Sequence, residues 1–381
     1  MEKKWIFQPS VDEAKGKLLS EQLKVNELVA QLLLQRSIDT EEAARSFFRP
    51  DLANLHDPFQ MKDMHRAVDR LLLAIEKEEG ILLFGDYDVD GTTAVALMFE
   101  QLSPVHQNLN YYIPDRYKEG YGLSQAGIDF AKSENRTLII TLDCGIKSNE
   151  LVALAKEQGI DFIICDHHQP GEKIPDAIVL DPKRSDCPYP FKELSGCGVG
   201  FKLMQALFHR LDISLEQLYC SLDLLALSIG ADIVDVTGEN RILAYHGLKR
   251  LNDHPRLAFQ ELLLLAEKKL PMTLTDVVFV IAPRVNAAGR IRSGSTAVAW
   301  MLSMNDIEIK NLAEEIHELS KKFSKEELYN LTGQINRVAD SIALNIAEGS
   351  ISQTNPEQHR FLGYSIRSIA EVVTCLYKAK R

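Results

Sequence analysis

Apolar residues along this chain follow two periodicities in turn. From about Asp12 to Phe48 they recur at helical spacing among polar neighbours, most clearly in NELVAQLLLQR, which predicts short polar helices. Pro50 and an irregular stretch through Pro58 close that segment. MHRAVDRLLLAIEKEEG follows as an amphipathic helix, with Gly80 as its stop signal. Ile81 to Phe84 is then a short unbroken apolar run, the mark of a strand buried on both faces. Thr92 to Leu102 predicts another helix. LIITL (Leu138 to Leu142), FIIC (Phe162 to Cys165) and AIVL (Ala177 to Leu180) repeat the strand signature, with helix-like segments between the first two pairs of strands. Strands alternating with helices imply an α/β fold, a mostly parallel sheet covered by helices.

In such sheets ligands bind beyond the carboxyl ends of the strands, and there the chain becomes acidic. GDYDVDGTT puts Asp86, Asp88 and Asp90 after the first strand, and TLDCG puts Asp143 after the second. CDHHQPG puts Asp166, His167 and His168 after the third. Asp232 ends the apolar helix-like run in SIGADIVDVTGENR. Like charges drawn together repel and raise one another's pKa values, and a pair of divalent cations is the simplest way to reconcile them. Mixed Asp/His ligation suits Mn²⁺ or Mg²⁺, with Mn²⁺ favoured by imidazole. Two cations about 3.5–4 Å apart bind a phosphate, activate a water and stabilise the leaving oxygen. A calcium EF-hand loop would need Glu at the twelfth position, where Leu97 stands. A Walker A loop would need Lys-Ser or Lys-Thr after the glycine. A capped, solvated acidic turn would explain the first loop alone, and packed histidines would explain His167 and His168 alone. Neither explains the set.

Composition changes this picture little. A chain of 381 residues is too long for one ordinary core and predicts two or three domains. It is 45% hydrophobic and 25% charged, in the globular range. No apolar run approaches the roughly 18 residues that span a bilayer, and MEKKWIFQPS lacks the apolar core of a secretory signal. The expectation is a cytoplasmic protein without membrane contact. None of the six cysteines forms a CxxC pair, which argues against a zinc knot or a disulfide framework. Cys144 and Cys165 read as small buried residues at strand ends rather than as catalytic thiols. The net charge of −11 gives no support for a nucleic-acid partner, although a basic groove can sit on an acidic body. Arg284, Arg290 and Arg292 cluster, and Lys183 with Arg184 follows a strand.

GDYDVDGTT, TLDCG, CDHHQPG, GADIVDVTGENR and APRVNAAGRI, in this order and spacing, resemble the RecJ family of the DHH phosphoesterase superfamily. That family comprises bacterial 5′→3′ exonucleases specific for single-stranded DNA. YIPDRYKEGYGLS and LSGCGVGFKL are similar too, and the resemblance runs from about Trp5 to at least Asn286, and through the helical stretch ending near Glu348. It implies that Asp86, Asp88 and Asp143 hold one cation. Asp90, Asp143, His167 and Asp232 would hold the other, Asp143 bridging. His168 would meet the scissile phosphate, and Asp166 would orient the histidines. Arg284, Asn286 and Arg290 would grip the nucleic-acid backbone. Arg116 would do similar work or form a structural ion pair. The family's place in DNA repair and recombination is implied with it.

The expected domains are a helical segment over 1–55, the catalytic DHH domain over 56–255 and its remainder with PRVNAAGR over 256–304. A linking helix over 305–348 and the start of a DHHA1 domain over 349–381 complete the set. Two departures matter. Asp235 stands where the family usually has proline, leaving Asp235 as an alternative ligand to Asp232. NPEQHR resembles the start of DHHA1, yet the residues after about Arg360 do not continue it. This leads to the expectation of a reading-frame change there, a largely missing second wall of the cleft and little or no processive exonuclease activity. The alternatives are a phosphodiesterase of short oligonucleotides or cyclic dinucleotides, and a catalytically inactive product.

Overall fold

A computed structural model of the chain describes residues 11–291 and 294–321, in two units that divide after Asp51. The remainder of the expected linking helix, 322–348, and the expected DHHA1 start, 349–381, lie outside the described residues.

The first unit contains three short helices, each started by a side-chain cap that satisfies exposed N–H groups. α1 (Glu13–Leu23) begins at Asp12, α2 (Glu27–Leu34) at Asn26 and α3 (Glu41–Phe48) at Thr40. Leu19, Val29, Ala30, Leu33, Ala44 and Phe47 close a small core of their own.

The second unit opens with α4 (Met64–Glu76), whose Met64, Ala67, Val68, Leu71 and Ala74 make one buried stripe at helical spacing. Then come β1 (Gly80–Gly85), α5 (Val89–Leu102), β2 (Leu109–Tyr112), α6 (Gln125–Ser133), β3 (Arg136–Leu142), α7 (Asn149–Glu157), β4 (Asp161–Cys165) and β5 (Ile178–Leu180). All strand pairs are parallel, in the order β2-β1-β3-β4-β5. The four expected strands are present. β2 is additional, an edge strand of sequence LNYY whose residues are all half-buried, so it carries no apolar run to announce it. β2 and β3 flank β1 on opposite sides, so the strand order reverses at β1. The crevice at that switch point lies at the carboxyl ends of β1 and β3.

The rest is helical: α8 (Gly196–Leu211), α9 (Leu215–Tyr219), α10 (Leu222–Asp232), α11 (Gly238–Asp253), α12 (Leu257–Leu265), a single turn α13 (Leu274–Asp276), α14 (Ala282–Ile291), α15 (Gly294–Leu302) and α16 (Asp306–Lys321). Val277–Ile281 forms a π-helical turn between α13 and α14, closed by the Ala282 N–H on the Val277 carbonyl. α8 and α10 pack on α5 and share one large core with one face of the sheet. Among the described residues no helix is long and apolar enough to cross a membrane.

Candidate metal centre

The acidic loop is fixed by its own chemistry. Asp88 caps α5, its carboxylate accepting the Gly91 N–H at 3.0 Å. A Cβ on Gly91 would lie 2.5 Å from the Asp86 carbonyl oxygen, so the turn that gathers the three aspartates requires glycine. Asp143 follows β3 with φ of 63°, a left-handed conformation that Asp tolerates better than most residues. Its N–H donates to the Cys165 carbonyl, tying the ends of β3 and β4 together. α8 begins beside both loops. A Cβ on Gly196 would lie 2.5 Å from the Asp143 Cβ, and only glycine permits this approach. Asp232 is the last residue of α10.

These elements converge. His167 Nε2 lies 3.0 Å from Asp143 Oδ1, 3.5 Å from Asp232 Oδ2 and 3.7 Å from Asp90 Oδ2. Three groups of side chains bring one ligand atom each within 4.8 Å of one another: Asp86 with Asp88 and Asp143; Asp90 with His167 and Asp232; and Asp143 with His167 and His168. Asp86 Oδ2, Asp143 Oδ1 and both ring nitrogens of His167 are buried without a hydrogen-bond partner. At 3.0 Å the Asp143 and His167 atoms are close but not aligned to hydrogen bond. Two ligands at right angles on a cation, each with a bond of about 2.1 Å, would stand about 3.0 Å apart. The donor set therefore fits divalent cations.

The electrostatics agree. Burial, then the Asp88 charge, pushes Asp86 up to about 7. Burial, then Asp90 and Asp88, pushes Asp232 up to about 9. Burial, with Asp90, Asp88 and Asp232 around it, holds Asp143 well above the usual carboxylate range. Burial also lowers His167, favouring the neutral imidazole that a metal needs.

Asp166 behaves differently. Burial would raise it, but its hydrogen bonds from His168 and the Ile146 N–H hold it below the ordinary value. Its Oδ1 accepts from the His167 N–H (2.7 Å), the His168 N–H (3.0 Å) and His168 Nδ1 (2.8 Å), and its Oδ2 from the Ile146 N–H (2.9 Å). With both oxygens occupied, Asp166 orients the histidines. His168 is raised by that bond. Its side chain is 41% exposed against 6% for His167, so the two neighbouring imidazoles face different surroundings.

The other expected site residues are distributed less tightly. Arg116 is exposed, with its guanidinium 5.2 Å from the Tyr87 ring centre, and makes a cation–π contact where an ion pair was the alternative. Arg284 is half-buried, donating to the Val280 carbonyl and to His317 Nδ1. Asn286 is half-buried on α14, and Arg290 belongs to the same helix. Gly294, just beyond, packs against Ile113 and the Tyr87 backbone, which sets this segment alongside the acidic loop. Asp235 is exposed and outside the three ligand groups, whereas Asp232 is inside. Cys144 and Cys165 are buried and their thiols are pushed up by burial, as non-catalytic residues would be.

Four residues drew no role from the motif reading, although Tyr121, Ser195 and Ser228 lie inside the quoted motifs. Tyr121 Oη lies 3.1 Å from His168 Nε2, and its O–H also reaches the Asp143 carbonyl at 3.4 Å. Ser195 and Ser228 stand behind Asp90. Asp181, directly after β5, is buried and pushed up to about 7 by burial, with Oδ2 unpartnered. The strand-end rule that found Asp86, Asp143 and Asp166 applies equally to the aspartate after AIVL.

Residues 80–229 match the model of the DHH family, N-terminal domain. The chain is 40% identical over 345 residues to the single-stranded-DNA-specific exonuclease RecJ of Bacillus subtilis, covering 90% of this chain and 42% of the relative. It is 34% identical over 320 residues to the RecJ of Salmonella typhimurium, covering 79% and 55% respectively. The chain thus spans about half the length of these curated relatives. A crystal structure of the exonuclease RecJ bound to manganese superposes with a TM-score of 0.64 at 29% identity, covering 77% of this chain and 71% of that one. The Thermus thermophilus RecJ in complex with Mn²⁺ superposes at 0.69 with 25% identity, covering 88% and 47%. Residues 308–381 match a different family, the 23S rRNA-intervening sequence protein. That match overlaps the stretches expected to hold the linking helix and the start of DHHA1.

Proposed function

Because this chain is a homologue of the RecJ exonucleases with a DHH-family N-terminal domain over residues 80–229, we propose that it is a metal-dependent phosphodiesterase acting from the 5′ end of single-stranded DNA. The observation that carries this reading is Asp143, a member of two ligand groups, whose buried Oδ1 has no hydrogen-bond partner and lies 3.0 Å from His167 Nε2. In this proposal Asp86, Asp88 and Asp143 hold one cation, and Asp90, Asp143, His167 and Asp232 hold the second, Mn²⁺ or Mg²⁺. When bound, the cations neutralise the carboxylates and polarise the phosphodiester and its attacking water.

The chain's own groups do the rest. Asp166 fixes the His168 tautomer by accepting a hydrogen bond from Nδ1–H, which leaves Nε2 to meet Tyr121 or to face a phosphate oxygen. The greater exposure of His168 makes it the imidazole that substrate can reach. Arg116, Arg284, Asn286 and Arg290 are assigned to the DNA backbone, where guanidinium forks meet phosphate oxygens. A role in DNA repair and recombination goes with this kinship.

The test is release of nucleotides from 5′-labelled single-stranded DNA with Mn²⁺, beside 3′-labelled strands and dinucleotides. The expected result is slow, non-processive release of nucleotides from the 5′ end by the native chain and none by Asp143→Ala. Cleavage of dinucleotides alone would overturn the substrate assignment, and no Mn²⁺-dependent hydrolysis of any phosphodiester would overturn the proposal.

A further inference from the structure

Asp90 differs from the other carboxylates of the three ligand groups in how completely it is held from behind. Its Oδ2 accepts the Gly196 N–H at 2.7 Å, and its Oδ1 accepts the Cys197 N–H at 2.9 Å and the Ser228 hydroxyl at 2.6 Å. The two N–H groups are the open first turn of α8, where the partial positive charge of a helix end faces the carboxylate. Ser228 is fully buried, and its Oγ lies 2.7 Å from that of Ser195, the residue that caps α8.

The protons can be assigned. An ionised carboxylate accepts only, so the single Ser228 hydroxyl proton is committed to Asp90. The Ser195 hydroxyl must then donate to Ser228 Oγ, while it accepts the Gly198 N–H at 3.1 Å. Such a chain of hydrogen bonds polarises each member in the direction of the carboxylate. Ser228 also lies one turn before Asp232 on α10, so one face of that helix supplies both a ligand and the hydrogen bond that aims a second ligand at the same place.

We propose that the Ser195–Ser228 hydroxyl pair is a positioning device for the cation site of Asp90, His167 and Asp232, setting the affinity of that site and not of the one at Asp86, Asp88 and Asp143. This inference rests on the two-cation reading above. Residues behind a metal ligand are typically worth about 10–100-fold in affinity.

The experiment is a Mn²⁺ titration of the full chain by calorimetry and electron paramagnetic resonance, with no substrate present. Wild type, Ser228→Ala, Ser195→Ala and the double variant are compared, with Ser228→Thr as the variant that keeps a hydroxyl. The expected result is a loss of about 10–100-fold in one of two binding steps in Ser228→Ala, a changed spectrum for that ion, and recovery toward wild type in Ser228→Thr. Ser195→Ala weakens the same step less, and the double variant is less than additive because both hydroxyls act on one carboxylate oxygen. Circular dichroism of the metal-free variants verifies folding, and Ser195→Ala carries the test if Ser228→Ala does not fold. Unchanged affinities and spectra, or equal weakening of both steps, would overturn the positioning role. A wild-type chain that binds no Mn²⁺ would instead overturn the function on which it rests.

Discussion

Beneath α8 and α11 the second unit buries charge in pairs; at the strand ends it buries charge of one sign. Lys202 and Glu239 are both fully buried, 2.7 Å apart. Lys202 also donates to the His56 carbonyl and to Gln205 Oε1, while Glu239 accepts from Tyr189 O–H and the His56 N–H. Asp223 is matched in the same way by Arg256, and Asp63 by Arg184. At the strand ends, Asp86, Asp88, Asp90, Asp143, Asp166 and Asp232 meet two imidazoles, and among the described residues none of the six is paired with lysine or arginine. A paired charge has reached its resting arrangement. An unpaired cluster of one sign has not, and the stability it forgoes indicates a ligand of the opposite sign.

The largest expected effect comes from breaking the unpaired side. Asp143→Asn keeps the shape and removes one charge from the bridge, and Mn²⁺-dependent hydrolysis is expected to fall by about 10³-fold or more. Without metal the same substitution stabilises the fold, by on the order of 1 kcal/mol. The sign follows from the raised Asp143. Its folded value exceeds its unfolded one, so its ionisation disfavours the folded state increasingly as pH rises above 3.8. Melting of both proteins in chelator at neutral pH tests this, and a lower melting temperature for Asp143→Asn would contradict it.

Breaking the paired side has the opposite signature. Lys202→Met leaves Glu239 buried without its cation and is expected to cost about 3–5 kcal/mol in denaturant unfolding. The Mn²⁺ affinity of the folded fraction should stay within twofold.

The smallest effect is at Asp63, where Asn also tolerates the left-handed backbone (φ 66°). Burial alone would raise Asp63, but the hydrogen bonds and charges of Arg184 and Arg66 leave it below 3.8. Its contribution, about 2 kcal/mol for a charged hydrogen bond, is therefore complete above 3.8 and is lost as pH falls through the depressed value. Wild type and Asp63→Asn should differ at neutral pH and converge in strong acid. A constant difference across that range would assign the effect to packing.

The same contrast explains what could be read before folding. Strands β1, β3, β4 and β5 were legible because each carries at least three consecutive apolar residues, and β2 was not, because an edge strand needs no such run. Asp86, Asp143, Asp166 and His167 were legible because chemistry-bearing residues follow strands. Asp181 obeys that rule but belongs to no motif that drew attention to it. Ser195 and Ser228 were invisible for a different reason. A serine ahead of a glycine-rich helix and a serine inside an apolar helix are individually ordinary, and only packing of α8 on α10 joins them at Asp90. Asp232 was preferred to Asp235 from the motif alone, and at the end of α10 it joins a ligand group that Asp235 does not.

The π-turn at Val277–Ile281 accommodates one residue more per hydrogen-bonded loop than an α-helix does. Each residue of an α-helix turns the chain by about 100°. Shortening the segment by a single residue would spare every side chain of PRVNAAGR and still swing Arg284, Asn286 and Arg290 about a quarter of the way round the helix axis. Fidelity of length between Asp276 and Ala282 is therefore as restrictive for this helix as the identity of its arginines, and a deletion there would be felt as a mis-aimed face rather than a missing residue.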